Sequence, residues 1–224
     1  DITLSFLNRP NYIACMLKYF GWKKSILISE RSSTFMQYNY HKNLKSKIGK
    51  FLVKSLYPKA DLILPNSKAN IPDLKKYFNI NTSFFTIYNP INLKNVLIRK
   101  EEVMDEIILS KFTYVMIGRF VWEKDYITLL NAFAMMPSKN DCQLLLIGDG
   151  PDKNRIKLLA EELKITPNVI FINFVENPFK YLNKTQCFVL STLQEGFPNV
   201  LIEALACYLR IISSDCRTVP SVLF

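Results

Sequence analysis

Apolar runs of strand length alternate with helix-period segments from one end of this 224-residue chain to the other, and few architectures accept that alternation. It argues for α/β organisation with mostly parallel sheets. In the first half, Ile2–Phe6, Ser25–Ser29, Asp61–Pro65 and Phe84–Tyr88 read as strands, with helices over about Pro10–Tyr19, Tyr38–Tyr57 and Ile71–Phe78. Asn89-Pro90-Ile91-Asn92 then reads as a turn out of the sheet, and the charge-rich stretch 93–108 as a linker. The pattern resumes with strands at Thr113–Ile117, Gln143–Ile147, Val169–Ile172, Phe188–Ser191 and Ile211–Ser213. Helices are expected between them at about Asp125–Met136, Asp152–Leu163, Pro178–Asn183 and Val200–Tyr208. Two parallel-sheet domains follow, over 1–92 and 109–224.

With 49% hydrophobic and 21% charged residues, the chain has the composition of a globular protein and not of a disordered tail. Its apolar runs fall far short of the roughly 20 residues that cross a bilayer. It begins at Asp1 without a signal core and stops within apolar sequence at Phe224, so both ends read as cut and nothing speaks for export. The five cysteines form no C-x-x-C pair, which favours buried thiols in a reducing cytosol over disulfides or zinc.

Charge is divided unevenly. Residues 1–100 hold 17 Lys/Arg against 4 Asp/Glu, a balance of +13, whereas 101–224 have a balance of −3. Lys42, Lys45, Lys47, Lys50, Lys54 and Lys59 interleave with Leu44, Ile48, Phe51, Leu52, Val53 and Leu56 at helical spacing, so a helix is expected that buries the apolar stripe and shows the lysines. A solvated face and attraction to anionic head groups or polyanionic acceptors both fit. No nucleic-acid motif accompanies it.

In open parallel sheets, ligands bind beyond the carboxyl ends of the strands, and the candidate chemistry gathers there. Gly118 permits a tight exit from a strand, Arg119 offers a bidentate fork for phosphate oxygens, and Lys124 adds a mobile charge. Taken alone, the two cations also fit an ordinary surface. Glu195 closes another strand, Gly196-Phe197-Pro198 turns into a helix that Asn199 can cap, and Glu203 falls about one turn inside, after Val200. Such a helix start presents free N–H groups to an anion. Gly148-Asp149-Gly150-Pro151 matches neither a dinucleotide fingerprint nor a Walker loop and reads as a structural turn. His41, the one histidine, has no ligand partner nearby in sequence, so a protein-bound metal is not expected. No nucleophile elbow or Cys/His pair suggests a hydrolase.

These motifs, with Leu144-Leu145-Leu146-Ile147-Gly148-Asp149-Gly150-Pro151 and Glu203-Ala204-Leu205-Ala206, resemble the donor domain of GT-B glycosyltransferases of family 4. Ser29-Glu30-Arg31-Ser32, Leu64-Pro65-Asn66-Ser67 and Ile87-Tyr88-Asn89-Pro90 are similar to the later part of that family's acceptor domain, as in bacterial capsule, O-antigen or lipid-linked oligosaccharide enzymes. The resemblance implies two Rossmann-like domains, both incomplete here. It implies retaining transfer of a hexose or N-acetylhexosamine from a UDP-sugar to a glycan or lipid-linked acceptor, with no required metal and no cofactor. The implied location is cytoplasmic, peripheral on the inner face of the membrane.

By the same resemblance, Arg119 and Lys124 hold the donor diphosphate, Glu195 contacts the transferred sugar and Glu203 the ribose. The turn Gly196-Phe197-Pro198-Asn199-Val200 lends backbone groups to sugar and phosphate. A non-catalytic nucleotide-sugar binding module is the alternative. The family commonly has Gly where this chain has Asn173, Asp where it has Gln186, and Gly and Pro where it has Tyr208 and Arg210. Tyr208 at a left-handed helix end is expected to be strained.

Overall fold

The run Cys142–Ile147 is buried at every position, and a strand that is apolar on both faces belongs at the centre of a covered parallel sheet. The computed structural model describes residues 1–39, 43–104 and 109–216 and divides them into two compact units. The first comprises Asp1–Asn89 with Gln194–Phe197; the second comprises Pro90–Leu193 with Pro198–Cys216. His41 and Lys42 lie outside the described residues, as do 105–108 and the end of the chain beyond Cys216.

In the first unit, strands β1 (Ile2–Phe6), β2 (Ser25–Glu30) and β3 (Leu62–Pro65) form a parallel sheet in that order. Helix α1 (Asn8–Met16) continues into a tighter turn over Leu17–Phe20, followed by α2 (Thr34–Asn39), α3 (Leu44–Leu56) and α4 (Asn70–Phe78). Ile26, Ile28, Val53, Tyr57, Ile63, Leu74 and Phe78 are core residues of this unit. The single helix expected over Tyr38–Tyr57 is two: Asn43 restarts the chain as an N-cap, its side chain accepting from Ser46 N–H at 2.9 Å.

The strand expected at Phe84–Tyr88 reduces to one bridge, Phe84 opposite Ile63. The backbone does run beside β3, with Ile63 N–H donating to Ser83 O at 2.9 Å and Phe85 and Ile87 N–H donating to Ile63 O and Pro65 O, each at 3.0 Å. Continuation of the ladder needs an N–H from Pro65, and proline has none.

In the second unit, β4 (Phe112–Ile117), β5 (Cys142–Ile147), β6 (Val169–Ile172), β7 (Cys187–Leu190) and β8 (Arg210–Ser213) form a parallel sheet ordered β6-β5-β4-β7-β8. Its helices are α5 (Leu93–Arg99), α6 (Tyr126–Met135), α7 (Lys153–Glu162), α8 (Phe179–Leu182) and α9 (Asn199–Ala206). The stretch expected as a linker therefore carries α5, which belongs to this unit. Asn92 caps it by accepting from Asn95 N–H at 3.0 Å, and Asn177 and Asn183 amides donate to Arg99 O at 2.8 Å and Lys100 O at 3.1 Å. Sequence polarity hid this dock because the partners are side-chain amides reading backbone carbonyls.

Two departures from the family pattern are locally satisfied. Gln186 Oε1 accepts from Thr113 N–H at 2.7 Å, holding the start of β4, and Asn173 Oδ1 accepts from the buried Lys153 ammonium. All five cysteines are free and buried. Among the described residues, no helix is long and apolar enough to cross a membrane.

Candidate functional site

At the carboxyl end of β4 the chain leaves the sheet under four restraints. Gly118 N–H extends the ladder to Ile147 O at 3.0 Å, and Gly118 O accepts from the Tyr126 hydroxyl at 2.8 Å. Phe120 N–H donates to Asp149 O at 2.9 Å, while its ring stacks on Tyr126 with centroids 4.4 Å apart. Burial holds the Tyr126 phenol above its ordinary range, so it stays a donor. Arg119, fixed between two anchored residues, is left exposed.

The turn Trp122–Lys124 hangs from the residues that follow β7. The Ser191 hydroxyl donates to Lys124 O at 2.9 Å, and the Thr192 hydroxyl and Leu193 N–H donate to Glu123 O, each at 2.8 Å. The Lys124 stem then lies over Gly118, where an added Cβ would sit 3.4 Å from its Cε. Gly118, Arg119 and Lys124 thus form one basic corner.

The loop after β5 makes a second wall. Gly148 (φ 147°) and Gly150 (φ 158°) let two backbones approach as no side chain would allow: a Cβ would stand 2.1 Å from Gly118 O at the first and 2.4 Å from Phe120 O at the second. Read as a turn, Gly148-Asp149-Gly150 proves to be a wall of the cavity as well.

Helix α9 supplies the third wall and one correction. Pro198, not Asn199, holds the N-cap position (φ −80°, ψ 85°), and Asn199 is the first helical residue. The ring fixes the backbone at the helix entry, so a side-chain cap from that position is absent. One turn inside, Glu203 is half-buried, and desolvation raises its carboxyl above the ordinary 4.5.

Between these walls lies a cavity of about 750 Å³, wholly within the second unit. It is lined by Gly118, Arg119, Gly148, Asp149, Gly150, Val200 and Glu203, and closed by Phe174, Val175, Glu176, Pro178 and Phe179 beyond β6 and by Asn95 and Arg99 of α5. Strand order reverses at β4, with β5 and β6 on one side and β7 and β8 on the other, so the cavity sits at a topological switch point. A guanidinium, a desolvated carboxyl and two aromatic rings suit a ligand with an anionic group, hydroxyls and a planar face.

Of the expected site residues, Gly118, Arg119, Val200 and Glu203 line this cavity, and Lys124 joins them through Gly118. Pro198 and Asn199 open α9 in the same unit without lining it. Glu195, Gly196 and Phe197 fall in the segment Gln194–Phe197 that clusters with the first unit. The sequence reading missed Asn95, Arg99 and the Phe174–Phe179 side; a loop directly after an apolar strand such as Val169–Ile172 was the available signal. Among the described residues, no group of three His, Cys, Asp or Glu is placed to hold a metal ion.

A family model described as glycosyl transferases group 1 matches residues 99–223. The chain is 38% identical over its full length to an N-acetylgalactosamine-N,N'-diacetylbacillosaminyl-diphospho-undecaprenol 4-alpha-N-acetylgalactosaminyltransferase of Campylobacter jejuni, of which it spans 60%. Among solved structures, a sucrose-phosphate synthase of Thermosynechococcus elongatus aligns over 96% of this chain and 56% of its own, with a TM-score of 0.80 at 20% identity. Anabaena Alr3699/HepE, solved in complex with UDP, aligns over 96% of this chain and 60% of its own, with a TM-score of 0.72 at 14% identity. Both likenesses are of fold.

Proposed function

The match covers more than half of the chain, so the chain belongs to the group 1 glycosyl transferases, of GT-B fold; from that premise we propose that it serves retaining transfer of a hexose or N-acetylhexosamine from a UDP-sugar to a glycan or lipid-linked acceptor. The observation that carries this reading is the gathering of Gly118, Arg119, Val200 and Glu203 around one cavity at the switch point of the second sheet. UDP is favoured by the ligand of the Anabaena structure, and a lipid-linked acceptor by the name of the Campylobacter relative.

Arg119 and Lys124 take the diphosphate in this reading. Negative charge grows on the leaving phosphate as the glycosidic bond breaks, so cations held there by the Tyr126 and Ser191 bonds stabilise the transition state without reorganising. No protein-bound metal is assigned, because these two cations supply the neutralisation. Glu203 accepts from the ribose hydroxyls, Glu195 contacts the transferred sugar, and the backbone of Gly196–Val200 contacts sugar and phosphate. A leaving phosphate oxygen takes the acceptor proton. The setting proposed is cytoplasmic, with the basic first hundred residues turned to an anionic membrane face.

Isothermal titration of UDP tests the donor half. Micromolar binding is expected, weaker by about tenfold or more in Arg119→Ala and in Glu203→Ala, as loss of a charge-assisted hydrogen bond implies. GDP should compete poorly. Retention of wild-type affinity in both variants would remove the assignment.

A further inference from the structure

Lys153 places a positive charge where two effects oppose it. The residue is 9% exposed, and as the first residue of α7 it stands at the positive end of the helix dipole. Among the described residues no ion pair includes it. The neighbouring Asp149 carboxylate is turned to its own loop, where it accepts from Gly150 N–H at 2.8 Å. A buried ammonium met only by neutral groups depends on the bonds it makes to them, so its partners tell what it holds in place.

Each partner lies just beyond a different strand of the second sheet. The ammonium donates to Gly148 O, after β5, at 3.1 Å and to Asn173 Oδ1, after β6. It also stands 5.5 Å from the ring centre of Phe120, after β4. Phe120 follows Arg119 directly, Gly148 opens the glycine wall, and Asn173 leads into Phe174, Val175 and Glu176 on the other side of the cavity. Backbone bonding ties β6 to the glycine wall at Ile172, whose O accepts from Gly148 N–H at 3.0 Å. The Lys153–Asn173 bond carries that tie one residue further, to the threshold of Phe174.

We propose that Lys153 is a positioning residue for the donor: through Gly148 and Asn173 it sets the separation between the basic corner at Gly118 and Arg119 and the Phe174–Phe179 side, and so selects ligands that reach both. This deepens the donor reading above and rests on it. Gly148 and Gly150 leave their wall with little stiffness of its own, and the ammonium supplies the restraint. A diphosphate alone needs only the basic corner. A ligand that also carries a nucleoside must span to the far side, so the effect of Lys153 falls on the nucleoside part. Asn173 is the specific acceptor in this arrangement: a glycine there offers the ammonium no side-chain oxygen, whereas an aspartate offers one with a countercharge.

Isothermal titration of the chain with UDP and with inorganic pyrophosphate separates the span from the corner. Lys153→Met keeps an unbranched apolar stem against Phe120, and Asn173→Gly removes the same bond without touching α7. Each should weaken UDP binding roughly tenfold, as loss of a hydrogen bond to a charged group implies, while pyrophosphate binds as it does to wild type. The double variant should be no weaker than either single one, because both remove one shared interaction. Asn173→Asp should keep the wild-type ratio of UDP to pyrophosphate affinity. Equal weakening of both ligands in Lys153→Met and Asn173→Gly, or a wild-type ratio in both, would overturn the proposal. If Arg119→Ala still weakens UDP binding, either result strikes this proposal alone. Wild-type chain that binds neither ligand would instead strike the donor reading on which it rests.

Discussion

Tyr208 carries the cost that its position in the sequence suggests. It adopts φ 65° after α9, with its N–H donating to Leu205 O at 2.9 Å and Leu209 N–H reaching back to Ala204 O at 3.1 Å, a helix ending that glycine makes freely. A side chain in that region costs roughly 1–2 kcal/mol, against about 0.5 kcal/mol from the Lys100 ammonium placed 4.8 Å from its ring. Tyr208→Gly is therefore expected to stabilise the second unit by about 0.5–1 kcal/mol, read as a higher urea midpoint. A lower midpoint would mean the ring contact outweighs the strain. Glu203 behaves in the opposite sense to a salt-bridged acid. Its folded carboxyl is raised by desolvation, so the folded chain holds the proton more tightly than the unfolded one. Stability falls as pH rises above the ordinary 4.5 and levels off once the folded value is passed. Glu203→Gln should match wild type in acid and exceed it at neutral pH, while binding UDP less well; equal stability at both pH values would refute the desolvation account.

At the scale of elements, the loop after β4 and the loop after β5 stand or fall together. Gly148→Ala forces a methyl against Gly118 O, where 2.1 Å is available, and overpacking of that kind costs about 1–3 kcal/mol. Reduced denaturant stability together with weaker UDP binding is expected, because the displaced carbonyl is the one that Tyr126 uses to set Gly118 beside Arg119. Unchanged stability would show that the two loops separate without loss. The central strands of the sheets were legible because parallel strands buried on both faces, such as Cys142–Ile147, carry near-continuous apolar runs. Ile2–Phe6 and Val169–Ile172 fall where their patterns put them. What misled was chemistry that periodicity does not register. One missing N–H at Pro65 stops the pairing of Phe84–Tyr88, and one Asn at 43 splits a helix. Pro198 takes the N-cap position of α9 in place of Asn199, and asparagine amides dock a segment whose charges looked like a linker. The candidate site was half visible: Gly118, Arg119 and Glu203 stand out by residue type, whereas Asn95, Arg99 and Phe174 enter the cavity only through the sheet order.

On the scale of the whole chain, two separate cores answer for two different kinds of surface. The first unit, centred on Ile26, Ile63 and Phe78, supports a basic face; the second, centred on Met116, Leu144 and Leu146, supports the cavity. The buried thiols are divided in the same way, with Cys15 in the first unit and Cys142, Cys187, Cys207 and Cys216 in the second. Burial raises the Cys15 thiol to about 12 and lifts Cys187 and Cys207 as well, so little thiolate is present at neutral pH. Alkylating reagents should therefore leave Cys15, Cys187 and Cys207 of the native chain untouched and mark each of these sulfurs only as its surroundings open. Mass spectrometry of chains quenched at intervals in mild urea is expected to show Cys15 acquiring its label on a clock of its own, while the core thiols Cys142 and Cys187 are labelled in step. Labelling of all three at one common rate would instead mean that the two halves open as one. The chain thus carries, in sulfur atoms with no part in its chemistry, a built-in gauge of which half yields first.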